Sequence, residues 1–258
     1  MEHKLKVAAL PLDIAWSDRD ENLFVAANMA RRLTRDVDVI VLPELFSTGF
    51  ISDMAMLTRL SDNASSHPTL DAVCAIAVDA NAAVCASWVW CDDNGAFTNR
   101  CFFVEPSGET TYYDKQHLFA LSPEARIFTA GKQEIPVVRF RGWNIAMAVC
   151  YDIRFPETMR NFQAKYDLLI VPANWPDARR YAWEHLLIAR AIENQAYVVG
   201  ANRSGKDDFG VYSDTTHILD YLGMNVGECA TDGTGAVVAL LSHSNLADAR
   251  RGFPVLVP

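Results

Sequence analysis

No stretch of this 258-residue sequence holds the roughly 20 consecutive apolar residues that a transmembrane helix requires. Its first six residues, MEHKLK, also lack the apolar core and the small-residue cleavage site that are typical of a secretory signal. Basic residues are in the minority, since 23 Lys and Arg stand against 32 Asp and Glu for a formal net charge of −9. A nucleic-acid-binding domain normally carries a basic face. We therefore expect neither a membrane nor a nucleic acid as partner, although a buried pocket can still suit an anionic small molecule.

Several motifs that mark common enzyme classes are also missing. The chain has no GxSxG serine elbow, no GxxxxGK[ST] phosphate loop and no GxGxxG dinucleotide fingerprint. Its six cysteines form no CxxC pair and are too few for a disulfide framework in a chain of this length. Its six histidines are dispersed, without HExxH spacing. These absences favour a cytoplasmic protein with reduced thiols and with no metal or cofactor.

The residues that are present predict a mixed α/β fold. Half of the sequence is hydrophobic, and no linker or low-complexity tract divides it, so we expect one domain over residues 1–258. Hydrophobic periodicity predicts strands at 6–10, 36–42, 83–90, 98–105, 110–113, 135–140, 144–149, 167–171, 196–200, 217–220 and 235–241. It predicts helices after a Ser17 cap and over 68–80, 156–165 and 178–194. This alternation, interrupted by hairpins, indicates sheets covered by helices, and two sheets packed face to face fit it.

Two reactive side chains follow strands with buried character. Glu44 comes after VIVLP, and Cys150 comes after IAMAV. Ligands of α/β sheets bind at the carboxyl ends of strands, which makes Cys150 a candidate nucleophile. Taken singly, each residue is better explained without catalysis: Cys150 as a buried structural cysteine, Glu44 as a solvated loop residue and Lys115 as a surface lysine.

Five segments taken together change this balance. They are 43–50 (PELFSTGF), 113–119 (YDKQHLF), 149–157 (VCYDIRFPE), 171–176 (VPANWP) and 189–197 (ARAIENQAY). In this order they closely resemble the signature segments of the nitrilase superfamily of carbon–nitrogen hydrolases, and the VCYDIRFPE and NWP segments are most similar to its omega-amidase branch. The likeness covers nearly the whole chain. One departure lies at Asp214 and Thr216, where many relatives carry Gly and Ser.

The resemblance implies a four-layer α-β-β-α sandwich and a catalytic set of Glu44, Lys115 and Cys150, with Glu124 in the position of a second glutamate. As the family mechanism implies, Cys150 attacks an amide carbon and Glu44 moves the protons. Lys115 favours the thiolate, and its ammonium stabilises the oxyanion together with the backbone N–H of Tyr151. Glu124 then orients Lys115 or the substrate.

The branch resemblance implies a small-molecule substrate, a short ω-amide of a dicarboxylic acid such as 2-oxoglutaramate or succinamate. Tyr151, Asn174, Trp175 and Arg203 are the expected substrate-binding residues, with Arg203 at the pocket mouth to meet the carboxylate. Arg154 is the other candidate partner, with an anchoring role within its own motif favoured. The family likeness also implies a homodimer. The alternatives are a nitrile hydrolase on the same scaffold, a catalytically silent binding relative and, least favoured, a metallohydrolase.

Overall fold

Two stacked β-sheets with helices on their outer faces make up the computed structural model, which describes residues 3–33, 37–213 and 215–256. Its strands are β1 (Lys4–Ala9), β2 (Val39–Val41), β3 (Ala83–Cys91), β4 (Phe97–Val104), β5 (Thr110–Asp114), β6 (Val137–Phe140), β7 (Trp143–Met147), β8 (Leu168–Ala173), β9 (Tyr197–Asn202), β10 (Gly205–Asp207), β11 (Gly210–Tyr212), β12 (His217–Leu219), β13 (Glu228–Cys229) and β14 (Val237–Ser242). Its α-helices are α1 (Arg19–Arg32), α2 (Met54–Leu60), α3 (Pro68–Ala80), α4 (Glu124–Ile127), α5 (Arg180–Asn194) and α6 (His243–Gly252). Short 3₁₀ turns span Cys150–Arg154, Pro156–Met159, Phe162–Ala164 and Asp177–Arg179.

Both large sheets are mixed. One has seven strands in the order β13-β14-β1-β2-β3-β4-β5, and the other has five in the order β12-β9-β8-β7-β6. The central strands of each sheet run parallel (β1-β2-β3 and β7-β8-β9), whereas antiparallel strands flank them. The strands β10 and β11 form a separate hairpin. The carboxyl ends of the parallel strands within a sheet therefore lie at one edge.

The first sheet is buried on both faces, and alternate side chains of its strands belong to two different cores. Val7 and Ala9 on β1 belong to the core between the two sheets. Ala8 and Leu10 belong to a second core under α1 and α3. Because side chains alternate along a strand, a sheet that is covered on both faces reads as an almost continuous apolar run. This is why the first strand carries VAAL without a polar interruption.

Helix α5 covers the second sheet, where Gly200 on β9 permits a close approach. A Cβ atom at Gly200 would lie 2.6 Å from Leu187 and 2.8 Å from Trp183, both on α5. The helix thus rests directly on the strand backbone. The layers run helix, sheet, sheet, helix, and the predicted α-β-β-α sandwich is confirmed.

The N-cap of helix α1 lies one residue later in the sequence than predicted. Asp18 is the N-cap, and its carboxylate accepts a hydrogen bond from the Glu21 backbone N–H at 3.1 Å. Ser17 instead has a φ of +57°, in the left-handed region. Asp18 therefore serves as the cap that the sequence assigns to Ser17.

The prediction of a single helix over residues 156–165 is wrong. The segment forms separate 3₁₀ turns, Pro156–Met159 and Phe162–Ala164. Between them the Asn161 side chain accepts from the Tyr166 N–H at 3.0 Å and donates to the Tyr166 carbonyl at 2.9 Å. An asparagine that binds the backbone groups of its neighbours competes with helix formation.

The other predicted strands and helices are present, with ends that differ by a few residues. Residues 34–36, which include the start of the strand predicted over 36–42, lie outside the described residues. The elements that are not predicted from the sequence are the helices α2, α4 and α6 and the strands β10, β11 and β13. None of the helices within the described ranges is long and apolar enough to span a membrane.

Candidate active site

The segments that follow four strands bring the candidate residues together. Glu44 follows β2, Lys115 follows β5, Cys150 follows β7 and Asn174 follows β8. The first two come from one sheet and the last two from the other. The site is therefore built where corresponding ends of the two stacked sheets meet.

Lys115 lies buried between two carboxylates. Its Nζ atom is 2.6 Å from Glu124 Oε1 and 2.8 Å from Glu44 Oε1. Burial on its own lowers the pKa of Lys115, but the negative charges of Glu124 and Glu44 outweigh it and raise that pKa well above the usual range. The side chain is therefore a fixed ammonium at neutral pH.

Glu44 is held from both sides of its carboxylate. Oε1 accepts hydrogen bonds from Lys115 Nζ and from Asn99 Nδ2, both at 2.8 Å, and Oε2 accepts from the Asn174 backbone N–H at 2.9 Å. The backbone turns sharply just after it, since Leu45 has a φ of +47° and donates its N–H to Ser87 Oγ at 3.0 Å. A buried carboxylate is costly unless it is paired and hydrogen-bonded, and this one is both.

Cys150 stands at the start of a 3₁₀ turn with a φ of +44°, a conformation that residues other than glycine rarely adopt. Cys150 lines the same pocket as Glu44, Lys115 and Asn174, within reach of the Glu44 and Lys115 charges. Burial raises the pKa of the thiol well above its ordinary value, the Glu44 charge raises it further, and Lys115 opposes both. Lys115 does favour the thiolate, as expected, but its effect on the pKa is smaller than the combined effect of burial and Glu44. The resting side chain is therefore a thiol.

Asp152 ties the cysteine turn to the lysine segment. Its fully buried carboxylate accepts from the Val149 N–H at 2.9 Å and the Tyr113 hydroxyl at 3.0 Å. It also accepts from the His117 backbone N–H at 2.9 Å and lies 2.9 Å from His117 Nδ1. One side chain thus joins the residues on either side of Lys115 to the residue before Cys150.

A pocket opens above these groups, with an empty volume of about 700 Å³ that includes its open mouth. Its lining residues are Glu44, Phe50, Lys115, Phe119, Ser122, Glu124, Cys150, Tyr151, Arg154, Asn174, Trp175, Pro176, Arg179, Phe209 and Tyr212. The lining therefore combines aromatic rings with charged side chains. Within the described part of the chain, no group of three or more His, Cys, Asp and Glu side chains is arranged to hold a metal ion.

Of the substrate-binding residues expected from the sequence, Tyr151, Asn174 and Trp175 line this pocket, but Arg203 does not. Its guanidinium donates to Asp207 at 2.8 Å and to the backbone carbonyls of Ser204 and Ile14, at 3.0 and 3.2 Å. The structure therefore corrects the placement of Arg203 at the pocket mouth: the side chain is fully buried and anchors the β10–β11 hairpin.

Two other arginines line the pocket. The Arg154 guanidinium lies 5.1 Å from the ring centre of Trp175, and that of Arg179 lies 5.1 Å from the ring centre of Phe119. Neither forms an ion pair with a carboxylate of the described residues. The anchoring role favoured for Arg154 within its motif does not account for this exposed position over the pocket.

Sequence reasoning missed Arg179, Asn99 and the aromatic rings of Phe119 and Phe209. The only available signal for Arg179 was its position shortly after the NWP segment, and Asn99 sits in an ordinary strand pattern. Asp214, one of the two departures from the family pattern, lies outside the described residues.

The fold is the one that the resemblance implied, and Glu44, Lys115 and Cys150 line one pocket. Residues 6–251 match the model of the carbon-nitrogen hydrolase family, and the chain belongs to that family. It is a hydrolase that acts on the carbon–nitrogen bonds of amides.

Individual relatives support the same assignment. The chain is 40% identical over 252 residues to the omega-amidase YafV of Yersinia enterocolitica, covering 97% of this chain and 94% of that protein. It is 30% identical over 254 residues to the 2-oxoglutaramate amidase of Bacillus subtilis, covering 98% and 96%. A solved structure of XC1258 from Xanthomonas campestris, described as a CN-hydrolase superfamily protein with an arsenic adduct in the active site, superposes with a TM-score of 0.91 at 32% identity, covering 98% and 96%.

Proposed function

We propose that this protein is an omega-amidase that hydrolyses short ω-amides of dicarboxylic acids, such as 2-oxoglutaramate or succinamate, to the dicarboxylate and ammonia. The observation that carries this proposal is the position of Cys150 beside Glu44 and Lys115 at the floor of a pocket that also exposes Arg154 and Arg179. An amide-hydrolysing centre and two cations suit a substrate with an amide at one end and a carboxylate at the other.

The first half of the reaction forms a thioester. The Cys150 thiol gives its proton to Glu44 as its sulfur attacks the amide carbon, and the carbonyl becomes a tetrahedral oxyanion. The Lys115 ammonium and the Tyr151 backbone N–H stabilise that oxyanion. Glu44 then passes the proton to the departing nitrogen, so that ammonia leaves and the acyl group stays on sulfur.

The second half restores the enzyme. Glu44 takes a proton from a water molecule, which attacks the thioester carbon, and the same oxyanion donors act again. Collapse of the intermediate expels the Cys150 sulfur, which regains its proton from Glu44. The sum is one amide and one water converted to one carboxylic acid and one ammonia, with no external cofactor.

Glu124 keeps Lys115 in place and does not transfer protons. Its Oε1 accepts from Lys115, while its Oε2 accepts from the Phe119 backbone N–H at 2.7 Å. Both oxygens are therefore engaged by donors of the protein. The Asn174 side chain differs from Glu124 in its hydrogen bonding, because its Oδ1 is buried with no partner among the described residues. In our proposal Asn174 contacts the substrate amide from the pocket wall.

The chain acts as one domain and, because its six cysteines are unpaired thiols, in the cytoplasm. We further propose a homodimer through α5. Tyr181, His185, Ile188 and Ile192 lie at helical spacing, with Tyr181 75% and Ile192 51% exposed. An Ile192→Glu variant that remains dimeric in light scattering would rule out this face.

The activity is tested by measuring ammonia release from a panel of amides. We expect succinamate and 2-oxoglutaramate to be hydrolysed much faster than butyramide, which has no carboxylate, and than 3-cyanopropanoate, the matched nitrile. The Cys150→Ala variant should release no ammonia. Faster hydrolysis of the nitrile, or of the uncharged amide, would overturn the assignment, and so would full activity of Cys150→Ala.

A further inference from the structure

We propose that Asn99, on β4, is a positioning residue that orients Glu44 and keeps it ready to accept a proton. This inference rests on the proposed function, since it assigns the role within the same reaction. Asn99 is fully buried, and its Nδ2 donates to Glu44 Oε1 at 2.8 Å. Its backbone carbonyl accepts the Lys115 N–H at 3.0 Å. A single strand residue thus contacts both the carboxylate and the lysine of the site.

The side chain of Asn99 has no comparable structural task. Its Nδ2 meets Glu44, but its Oδ1 is buried with no partner among the described residues. A buried amide oxygen left without a donor is unfavourable, and an apolar residue of similar size would avoid that cost. The amide group is therefore placed for its one contact, the carboxylate of Glu44. Asn99 does not line the pocket, so it acts through Glu44 and not on the substrate.

The contact assigns different tasks to the two oxygens of Glu44. Oε1 accepts from two side-chain donors, Asn99 and Lys115, whereas Oε2 accepts from a single backbone N–H, that of Asn174. Oε2 thus retains a lone pair for the proton of the Cys150 thiol. A hydrogen bond donated to a carboxylate also stabilises its charged form, which is the form that accepts a proton.

The charged and titratable groups that face Glu44 come from several elements. Among the described residues they are Lys115 after β5, Cys150 after β7 and the buried thiol of Cys101 on β4, with Glu124 of α4 beyond the lysine. Asn99 is the neutral donor of this set. When it is removed, Lys115 remains as the only side-chain donor to Oε1, and the Glu44 carboxylate loses one of the two side-chain contacts that orient it.

The test compares Asn99→Leu and Asn99→Asp with the wild type and with Thr98→Val. Thr98 directly precedes Asn99 on β4 and faces the opposite side of the strand. Its hydroxyl is buried with no partner among the described residues. Rates of ammonia release from succinamate are measured against pH. We expect kcat at neutral pH to fall about tenfold to a hundredfold in Asn99→Leu, with KM within about twofold.

The pH profile separates positioning from mere structural support. In Asn99→Leu the acid limb of kcat/KM should move to higher pH, because the base that accepts the thiol proton loses a hydrogen bond that stabilises its charged form. In Asn99→Asp it should move further, because two adjacent carboxylates share a proton. Thr98→Val should follow the wild type. The position of the limb does not depend on how much protein is folded, so partial loss of folded enzyme leaves this reading intact.

An acid limb that stays at the wild-type pH in both Asn99 variants would overturn the role of Asn99, while wild-type activity would leave the proposed function in place. A rise in KM at constant kcat would also overturn it, since it would place Asn99 in substrate binding. Absence of ammonia release from the wild type with every ω-amide would refute the proposed function itself, and the role of Asn99 with it.

Discussion

The Lys115 ammonium lies 2.6 Å from the carboxylate of Glu124 and is fully enclosed. Glu124 is held in turn by the Phe119 backbone N–H, so its position is fixed independently of the lysine. A lysine side chain has four rotatable bonds and would otherwise sample several positions. The second glutamate therefore determines where the positive charge of the site is located.

Replacing Glu124 by Gln removes the charge while keeping the size of the side chain. We expect kcat for succinamate to fall by about tenfold to a thousandfold, because Lys115 loses one of its two anionic partners and no longer meets the oxyanion with the same geometry. Ammonia release measures this directly. Glu157→Gln, at an exposed position, is the matched control and should behave as wild type. Unchanged kcat in Glu124→Gln would contradict the positioning role.

Glu44→Gln should uncouple thiol ionisation from turnover. Burial and the Glu44 charge both raise the pKa of the Cys150 thiol, whereas Lys115 lowers it. Removing the negative charge leaves the lysine beside the sulfur, so the pKa of the thiol should fall and the thiolate should form at lower pH. We expect the pH midpoint for alkylation by iodoacetamide, followed by intact mass, to decrease although hydrolysis is lost.

This measurement is best made in a Cys229→Ser background, because Cys229 is the exposed cysteine and would react first. A midpoint that stays constant or rises in Glu44→Gln would show that the carboxylate does not oppose ionisation of the thiol.

Arg154 and Arg179 should determine the preference for charged amides. Replacing either by Gln removes a cation that has no carboxylate partner in the described structure, so little folding stability is at stake. We expect the ratio of kcat/KM for succinamate to that for butyramide to fall by about tenfold or more, since a charge-assisted hydrogen bond contributes about 1.5–3 kcal/mol. Arg139→Gln, exposed on β6, is the control. An equal loss for both amides would remove the arginines from carboxylate binding.

Arg203 should contribute to the folding stability of the protein and not to substrate binding. It is fully buried and paired with Asp207, whose carboxylate also accepts from the Tyr212 hydroxyl in the β10–β11 hairpin. Arg203→Ala leaves that buried carboxylate without its cation, and we expect the free energy of unfolding to drop by about 3–5 kcal/mol. Urea denaturation measures the drop. Arg251→Ala, which breaks an exposed pair, should cost less than about 1 kcal/mol.

The kinetic consequence of Arg203→Ala provides a second check. Because the side chain lies away from the pocket lining, charged and neutral amides should be affected to the same extent. A selective loss for succinamate would return Arg203 to the carboxylate site.

Glu44, Lys115 and Cys150 were selected because their motifs, taken together and in order, resemble those of a known family; taken singly, each residue has an ordinary structural interpretation. The covering of the sheets by helices was accessible from the pattern itself, since strands buried on both faces, such as β1, carry continuous apolar runs. Glu124 was placed through the resemblance alone, because nothing in its local pattern distinguishes it from an exposed loop residue.

The hydrogen-bond partners of these residues could not be predicted from the sequence. Asn99 reaches Glu44 across 55 positions of sequence, and Asp152 joins His117 across 35. The first contact depends on the order of strands within one sheet, and the second depends on how the two sheets stack; hydrophobic periodicity specifies neither. Arg203 was misplaced because its position after β9 fits both a pocket residue and a buried anchor. Only the location of Asp207 decides between them.

The most direct test of the account is the detection of an acyl group on Cys150. Wild-type protein mixed with succinamate and quenched within a single turnover should show, by intact mass and peptide mapping, a covalent succinyl group on the peptide that contains Cys150. The Cys150→Ala variant should show none and should release no ammonia. Wild-type turnover with no adduct on Cys150, or an adduct on another residue, would contradict the proposal that this thiol is the nucleophile.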